Sequence, residues 1–260
     1  MNLEDKSIRF LQTIERNTND LYLGFSGGKD SVVIYDLALR AGIKFTAVYS
    51  NTTIDPPGTI SFIRKHYPSV QILQPLESFY DLVRRKGLPT RQTRFCCEYL
   101  KERAAIGRTS IVGVRSSESH KREGRDYTHC DTRKNMKGAK YIYPIYDWQD
   151  DDVWNYIHKY QLPIAPCYTD GCERLGCVGC PLIYPRKKAF EFSIYPKIYK
   201  TIRNAIEEGM RNNPQWKISV ATEGDAELAM QWWISNKSIN QYFPQYTFTK
   251  GKRGWTKVLI

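Results

Sequence analysis

The chain has 260 residues, of which 41% are hydrophobic and 25% are charged, and its formal net charge is +12. This size and composition predict one compact domain, or one domain with an appendage. No run of about 18 apolar residues occurs, so neither a transmembrane helix nor a membrane partner is expected. The amino-terminal residues lack the apolar core of a secretory signal, which favours a cytoplasmic location.

Positive charge is concentrated in two segments. Residues 84–140 contain 16 Lys and Arg against 6 Asp and Glu, and residues 181–260 contain 13 against 6. Such segments suit phosphate-rich partners, either a nucleotide or a nucleic acid. A generally basic, soluble surface is the alternative, and charge alone does not decide between the two.

Strands and helices alternate along the first part of the chain. The predicted helices cover 3–19, 31–41, 61–67 and 79–86, and the predicted strands cover 21–25, 45–49, 70–73 and 109–114. This alternation predicts an α/β fold with a doubly wound, mostly parallel sheet that helices cover on both faces.

The later segments are less regular. In order, they are a polar basic loop, a helix, an irregular cysteine-rich stretch and a helical stretch, over 113–140, 147–160, 163–185 and 186–213. From Pro214 the chain is rich in aromatic residues and its pattern predicts no definite element. Loops as long as the first of these segments are usually functional or mobile.

The string from Ser26 to Ser31, Ser-Gly-Gly-Lys-Asp-Ser, lies between a predicted strand and a predicted helix. Its two glycines permit positive φ and a close approach of the backbone to a ligand. Backbone amides at a helix N-terminus form a cradle for anionic oxygens, to which Lys29 adds a charge and the serines add hydroxyls. The spacing differs from the Walker pattern. A purely structural turn is the alternative, and the complete string favours a phosphate site.

This string resembles the PP-loop of the adenine nucleotide α-hydrolase superfamily, and specifically that of the phosphoadenosine phosphosulfate (PAPS) reductase family. The resemblance covers about residues 20–185 and implies a doubly wound fold whose loop binds the phosphates of ATP or a sulfonucleotide. It implies a nucleotide-binding α/β domain with cysteines over 1–185, followed by a helical, aromatic and basic extension over 186–260. The implied nucleotide-binding residues are Ser26, Gly27, Gly28, Lys29, Asp30, Ser31, Asn51, Thr52, Gly113 and Arg115. Among them, Lys29, Asp30 and Arg115 are the expected catalytic residues.

Two further stretches resemble ligand elements of the family. Residues 51–56 follow the second strand, where the family's reductases usually have Asp-Thr-Gly, so Asn51 is a departure that leaves the substrate open. Residues 113–119 resemble the family's Gly-x-Arg-x-x-Glu-Ser element. Arg115 suits a phosphate or sulfate because its planar guanidinium binds oxyanions in bidentate fashion, and an ion pair with Glu118 is the alternative.

A third resemblance covers 144–148 and 152–154, where the family opens a helix. It implies that Asp147 caps this helix and that Asp147 and Trp154 have mainly structural roles.

Seven cysteines in a cytosolic chain indicate metal binding or redox chemistry more than disulfides. Cys96 and Cys97 are adjacent, and Cys177 and Cys180 form a Cys-x-x-Cys followed by proline. Four thiolates are the usual ligands of a [4Fe–4S] cluster, but they also suit zinc, and spacing alone does not exclude it. The arrangement resembles the cluster-binding subgroup of the PAPS reductase family, which favours the cluster. For Cys167 and Cys172 a spare ligand, a persulfide carrier and an ordinary buried thiol are the alternatives, of which the last is favoured for Cys167, and Cys130 is given no role.

The family contains two chemistries. Its reductases attack a sulfate group with a thiol from a C-terminal Glu-Cys-Gly-x-His element, whereas this chain has no cysteine after Cys180. The other branch cleaves ATP between the α and β phosphates and adenylylates a substrate that sulfur then attacks. The resemblance therefore favours an ATP-pyrophosphatase with Mg²⁺, similar to DNA phosphorothioation and tRNA thiolation enzymes. Its expected partners are an adenine nucleotide, a nucleic acid and a sulfur-donor protein such as a cysteine desulfurase.

Two alternatives stay open. The first is a PAPS or adenosine phosphosulfate (APS) reductase with an unconventional thiol donor. The second is a nucleotide-sensing or nucleic-acid-binding subunit without turnover. Aromatic residues such as Tyr127, Trp232 and Trp233 could stack on bases, although such residues more often belong to a core.

Overall fold

The computed structural model describes residues 2–18, 20–118, 122, 124, 126–169 and 171–260. The chain forms two compact units. The first unit contains Met1–Asn51, Asp55–Pro75 and Lys101–Gly176, and the second contains Thr52–Ile54, Leu76–Leu100 and Cys177–Ile260. The sequence predicts a division at residue 185, whereas the compact units interleave along the chain.

Helices occur in both units. In chain order they are α1 (Leu3–Glu15), α2 (Lys29–Arg40), α3 (Thr59–His66), α4 (Phe79–Lys86), α5 (Phe95–Leu100), α6 (Asp150–Lys159), α7 (Pro185–Ile194), α8 (Pro196–Asn212), α9 (Lys217–Thr222), α10 (Ala226–Ser235) and α11 (Ile239–Tyr242). Short 3₁₀ turns cover Glu102–Ala105, Ser116–Glu118, Lys134–Met136 and Pro166–Tyr168. Within the described ranges, no helix combines the length and apolar composition that a bilayer crossing requires.

The first unit is built on a six-stranded sheet. Its strands are β1 (Leu21–Gly24), β2 (Thr46–Ser50), β3 (Gln71–Leu73), β4 (Thr109–Ile111), β5 (Thr128–Cys130) and β6 (Lys140–Ile142). The spatial order is β3-β2-β1-β4-β6-β5, and every pairing is parallel except that of β5 with β6. The central strand β1 places Leu23 opposite Ala47 on one side and Ile111 on the other.

Buried clusters lie on both faces of this sheet. Successive side chains along a strand point to opposite faces, so one strand contributes to both clusters. Leu21 and Leu23 are fully buried in the core that includes Leu37 of α2. Tyr22, between them, belongs to a separate buried cluster with Met136. The predicted α/β fold with a mostly parallel sheet is therefore confirmed, and so is the helical C-terminal region.

The second unit packs helices around its own apolar core and carries an antiparallel hairpin of β7 (Tyr246–Gly251) and β8 (Gly254–Leu259). Gly209 of α8 allows a close approach to α4, because a Cβ there would lie 2.9 Å from the backbone oxygen of Arg84. The aromatic sequence after Pro214 therefore forms α9, α10, α11 and the hairpin.

Helix α4 is the helix whose bounds the local sequence pattern predicted correctly at both ends. The predicted and observed bounds agree, and Gly87 ends the helix at φ 81°. Ser78 begins it with a capping box, in which its hydroxyl accepts the Asp81 N–H at 3.1 Å and the Asp81 carboxylate accepts the Ser78 N–H at 3.1 Å.

Three predictions need correction. The expected loop over 113–140 includes β5, an antiparallel edge strand that its polar sequence did not indicate. The predicted cap at Asp147 is wrong, because α6 begins at Asp150 and Gln149 is its N-cap. Asp147 instead forms hydrogen bonds with Lys6 and Tyr127. The helix predicted over 3–19 ends at Glu15, and Asn19 lies outside the described residues.

Candidate functional site

The predicted phosphate loop joins β1 to α2. Gly27 has φ 77°, and an added Cβ would lie 3.1 Å from Leu175 Cδ2, so a larger residue would be strained there. Ser26 Oγ accepts the Gly28 N–H at 3.2 Å and lies 3.1 Å from Ser31 Oγ. Ser31 Oγ donates to the Gly28 carbonyl oxygen at 2.8 Å. These bonds fix both hydroxyls at the start of α2.

The Tyr168 hydroxyl also lies at the start of α2. Its oxygen accepts the backbone N–H of Lys29 at 2.8 Å and that of Leu175 at 3.4 Å. Burial raises the pKa of Tyr168 to about 12, so the hydroxyl is neutral near pH 7. Amides at a helix N-terminus are the groups that bind anionic oxygens, and Tyr168 holds one of them. No sequence motif pointed to Tyr168, which the fold brings from 139 residues away.

Two buried cations share two carboxylates beside the loop. Lys29 Nζ lies 2.9 Å from Asp150 Oδ1 and 3.3 Å from Asp30 Oδ2. Arg115 Nε donates to Asp30 Oδ1 at 2.7 Å, and its Nη2 donates to Asp150 Oδ1 at 2.7 Å. The side chains of Lys29 and Arg115 are only 6% and 5% exposed, so their charges require these partners. We call Lys29, Asp30, Arg115 and Asp150 the charged quartet.

Gly113 allows the end of β4 to approach α2. A Cβ at this position would lie 2.9 Å from Asp30 Cβ and 3.1 Å from the Asp30 carbonyl oxygen. The small residue therefore has a packing role that brings Arg115 to Asp30. Glu118, the alternative partner of Arg115, accepts the Arg115 backbone N–H at 3.2 Å. Ser119 of the predicted element lies outside the described residues.

Asp150 is a quartet member that the sequence analysis missed. Partial burial disfavours its ionisation, but hydrogen bonds and charges from Lys29 and Arg115 outweigh burial and lower the pKa of Asp150. The sequence feature that could have indicated Asp150 is the acidic run of residues 150–152. Such a run is also explained by the helix dipole, which favours acidic side chains in the first turn of a helix.

The two other predicted nucleotide residues have different surroundings. Asn51 follows β2, its backbone N–H donates to the Leu73 carbonyl oxygen at 3.0 Å, and its side-chain amide donates to Gln74 Oε1 at 2.8 Å. Thr52 belongs to the second unit and is buried, and its hydroxyl oxygen accepts the Cys177 thiol hydrogen bond at 3.5 Å. The structure therefore pairs Thr52 with a predicted metal ligand.

The four predicted metal ligands all belong to the second unit. Cys96 and Cys97 lie on α5, whereas Cys177 and Cys180 lie in the turn before α7. A hydrogen bond with Cys97, burial, and the charges of Cys97, Cys177 and Cys180 raise the pKa of the Cys96 thiol. Cys96 therefore interacts with the other three cysteines, and we call the four residues the cysteine group.

The Cys-x-x-Cys turn depends on a glycine. Gly179 has φ 71°, and a Cβ there would lie 2.3 Å from Phe192 Cζ, so a side chain at this position would be strained and would displace the Phe192 ring. Its N–H donates to Glu191 Oε2 at 2.8 Å, and the preceding Val178 N–H donates to the Ile54 carbonyl oxygen at 2.8 Å. Both residues between the cysteines are thus fixed by the surrounding fold.

A buried lysine lies in the same unit. Lys188 Nζ donates to the Trp233 carbonyl oxygen at 2.8 Å and to Asn236 Oδ1 at 2.6 Å. Burial lowers the pKa of Lys188 to about 8, and the Cys180 thiol, when ionised, acts in the opposite direction. Sequence reasoning gave this residue no role.

In the part of the chain that the structure describes, no three His, Cys, Asp or Glu side chains are arranged so that they could hold a metal ion. The remaining cysteines belong to the first unit, where Cys130 is exposed and Cys167 and Cys172 are buried.

Comparisons with known proteins agree with this fold. Residues 20–183 match the sequence model of the phosphoadenosine phosphosulfate reductase domain. An uncharacterized protein of Methanocaldococcus jannaschii is 28% identical over 221 residues, which make up 80% of this chain and 46% of that protein. An adenosine 5'-phosphosulfate reductase of Geobacillus sp. (strain WCH70) is 28% identical over 174 residues, or 62% of this chain and 73% of that protein. The chain spans about half the length of the Methanocaldococcus relatives.

A solved structure shows the same fold. The phosphoadenylyl-sulfate reductase from Candida auris, in a phosphate complex, has a TM-score of 0.52 and 18% sequence identity. The match covers 66% of this chain and 88% of that chain.

The Asp150→Asn variant tests the electrostatics of the charged quartet. A lowered pKa stabilises the fold at pH above the ordinary value of 3.8, and this contribution disappears as the pH falls through the lower folded value. We expect the variant to have a lower urea midpoint than the wild type from about pH 5 to 7, with the difference shrinking below about pH 4. Asp151→Asn, at an exposed neighbour, is the matched control. A difference that does not change with pH would contradict this electrostatic role.

Proposed function

Because the chain belongs to the phosphoadenosine phosphosulfate reductase domain family, we propose that it is an ATP-pyrophosphatase that adenylylates a substrate for sulfur transfer. The observation that carries this proposal is the charged quartet, which gathers Lys29 and Arg115 at the amino end of α2. A helix N-terminus, two cations and two fixed hydroxyls are the groups that a polyphosphate requires.

The charged quartet suits an anionic ligand that can replace Asp30 and Asp150 as the partner of Lys29 and Arg115. Phosphate oxygens entering the loop would accept hydrogen bonds from Lys29 and Arg115, which now bond to Asp30 and Asp150. The released carboxylates would then be available as oxygen ligands, and Asp30 is our candidate for placing Mg²⁺. When bound, Mg²⁺ would neutralise charge on the pyrophosphate. The chain's own contribution is therefore positioning and charge neutralisation.

The proposed reaction has two displacements. An oxygen of the substrate attacks the α-phosphorus of ATP, the bond from that phosphorus to the bridging oxygen breaks, and pyrophosphate leaves with the electron pair. Lys29 and Arg115 stabilise the negative charge that develops on the leaving group. The sulfur nucleophile is the outer sulfur of a persulfide, for which a cysteine desulfurase is the proposed source. It bonds to the substrate atom that carries the adenylylated oxygen, the bond from that atom to the oxygen breaks, and AMP leaves with the electron pair. A thiol then reduces the remaining sulfur–sulfur bond and is itself oxidised to a disulfide.

Nucleic acid is the proposed substrate. Residues 84–140 and 181–260 carry the excess of Lys and Arg, and a polyanion is attracted to such segments. The exposed positive side chains of α4 and of the β7–β8 turn, Arg85, Lys86, Lys252 and Arg253, belong to these segments.

The cysteine group, Cys96, Cys97, Cys177 and Cys180, is the proposed site of a [4Fe–4S] cluster. The donor types fit, because thiolates are the protein ligands of such clusters and a cationic centre would favour ionisation of Cys96, whose pKa the neighbouring thiols raise. The Cys-Cys and Cys-x-x-Cys arrangement resembles that of the family's cluster-binding subgroup, and this resemblance favours a cluster over zinc. When bound, a cluster would supply an iron that can hold the transferred sulfur.

A sulfonucleotide reductase is the second candidate, which the 28% identity to an adenosine 5'-phosphosulfate reductase favours. Such an enzyme would release sulfite from APS or PAPS without ATP. A nucleotide-binding subunit without turnover is the third candidate, and it would bind ATP without forming AMP.

The Lys29→Ala variant tests the proposed reaction. Purified anaerobically, the wild type should convert ATP to AMP and pyrophosphate when a nucleic acid is present. The variant should lose at least 100-fold in rate, because a single preorganised charge contributes about 10²–10³. Lys44→Ala, at an exposed lysine after α2, is the matched control. Undiminished turnover in Lys29→Ala would remove the loop from the mechanism, and sulfite release from APS or PAPS would favour the reductase.

The Cys180→Ser variant tests the cluster independently of turnover. The wild type should be brown and contain about four iron atoms per chain. The variant should lose most of this iron, whereas Cys130→Ser, at an exposed cysteine of the first unit, should retain it. Lys29→Ala should also keep its colour. Stoichiometric zinc in the wild type, or iron that survives Cys180→Ser, would contradict the proposed cluster.

A further inference from the structure

A separate cavity lies wholly within the second unit. It has a volume of about 390 Å³ and lies between the end of α4, the start of α9 and the β7–β8 hairpin. Three tryptophans and three lysines contribute to its lining: Trp216, Trp232, Trp255, Lys86, Lys217 and Lys250. None of its described lining residues is acidic. This volume is at the lower end of small-molecule sites, which run from about 300 to 1,000 Å³, and it suits one nucleotide.

The hairpin is anchored beside α9 by close backbone packing. A Cβ on Gly254 would lie 2.5 Å from Gln215 Cβ, so only glycine permits this approach. The Trp255 N–H donates to the Gln215 carbonyl oxygen at 3.3 Å. Trp255 lies opposite Lys250 in the hairpin register, which brings an indole and an ammonium group to one edge of the cavity.

Two of the three cavity lysines, Lys86 and Lys217, interact with rings or neutral groups. Lys217 Nζ lies 4.6 Å from the Trp255 ring centroid and 5.1 Å from that of Phe248, and it donates to Asn240 Oδ1 at 2.7 Å. Lys86 Nζ lies 4.9 Å from the Tyr99 ring centroid. Within the described ranges, no carboxylate is in an ion pair with Lys86, Lys217 or Lys250. Burial lowers the pKa of Lys217, and an anion in the cavity would offset that effect.

We propose that this cavity binds one unpaired nucleotide, with its base stacked on the indole of Trp255 and its phosphate bound by Lys217 and Lys250. The chemistry that recognises the ligand is a flat aromatic ring joined to an anion, which matches the indoles and the lysines of one pocket. Lys252 and Arg253 at the exposed hairpin turn extend the positive charge for neighbouring phosphates of a strand. This inference rests on the proposed function, because a nucleotide site in the second unit would help to bind the nucleic-acid substrate proposed above.

Fluorescence anisotropy of labelled single-stranded DNA and RNA 12-mers, without ATP, tests this site in the full chain. Trp255→Ala should weaken binding at least fivefold, because base stacking on an aromatic residue contributes that much or more. Trp255→Phe should restore most of it. Lys217→Gln with Lys250→Gln should reduce the slope of log affinity against log salt by about 0.7, since both lysines bind one phosphate and each phosphate contact contributes about 0.7. Lys197→Gln with Lys200→Gln, at exposed lysines outside the cavity lining, is the double control and should change the slope less.

Competition by AMP and by a 12-base-pair duplex separates the sources of the nucleotide. Stronger binding of the strand than of AMP supports a strand site, and AMP binding that depends on Trp255 without strand binding supports a free-nucleotide site. Trp255→Ala and double-lysine variants that bind both ligands like the wild type would overturn the inference, as would a wild type that binds neither. Conversion of ATP to AMP by the wild type in the presence of the strand is measured in parallel. A chain that binds the strand through Trp255 but makes no AMP from ATP would keep this inference and remove the proposed function.

Discussion

The balance of charge at the amino end of α2 holds three distant segments together. Lys29 lies on α2, Arg115 follows β4 and Asp150 begins α6, and the two cations are almost completely buried. Removing one partner of a buried ion pair typically costs about 3–5 kcal/mol, because the remaining charge keeps its desolvation penalty. The exposed fraction of Asp150, 57%, reduces its own share of that cost. The same balance makes the site suitable for phosphates, whose oxygens can replace carboxylates as partners of both cations.

The second unit contains its own arrangement of functional groups. The cysteine group of this unit depends on the turn at Gly179, where an added Cβ would clash with Phe192. Its cavity depends in a similar way on Gly254, where the hairpin meets Gln215. In both places a glycine lets the backbone come close enough to bring reactive or binding side chains together. The family match ends at residue 183, so it includes the thiols but only part of this unit.

The sequence predicted those features that depend on neighbouring residues. The loop from Ser26 to Ser31 and helix α4, with its stop at Gly87, follow from local preferences of glycine, serine and apolar spacing. Tyr168 and Asp150 could not be predicted in this way, because their contacts with Lys29 join residues more than one hundred positions apart. The cap assigned to Asp147 failed for a related reason, since its carboxylate bonds to Lys6 and Tyr127 from other parts of the chain.

A crystal structure of the chain with Mg²⁺ and a non-hydrolysable ATP analogue tests the central claim most directly. Our account predicts that a phosphate oxygen replaces the Tyr168 hydroxyl as acceptor of the Lys29 N–H. It also predicts that Lys29 and Arg115 contact the phosphates and that at least one of the carboxylates they now share is released. An analogue bound elsewhere, with the Tyr168 bond and the charged quartet unchanged, would contradict the account.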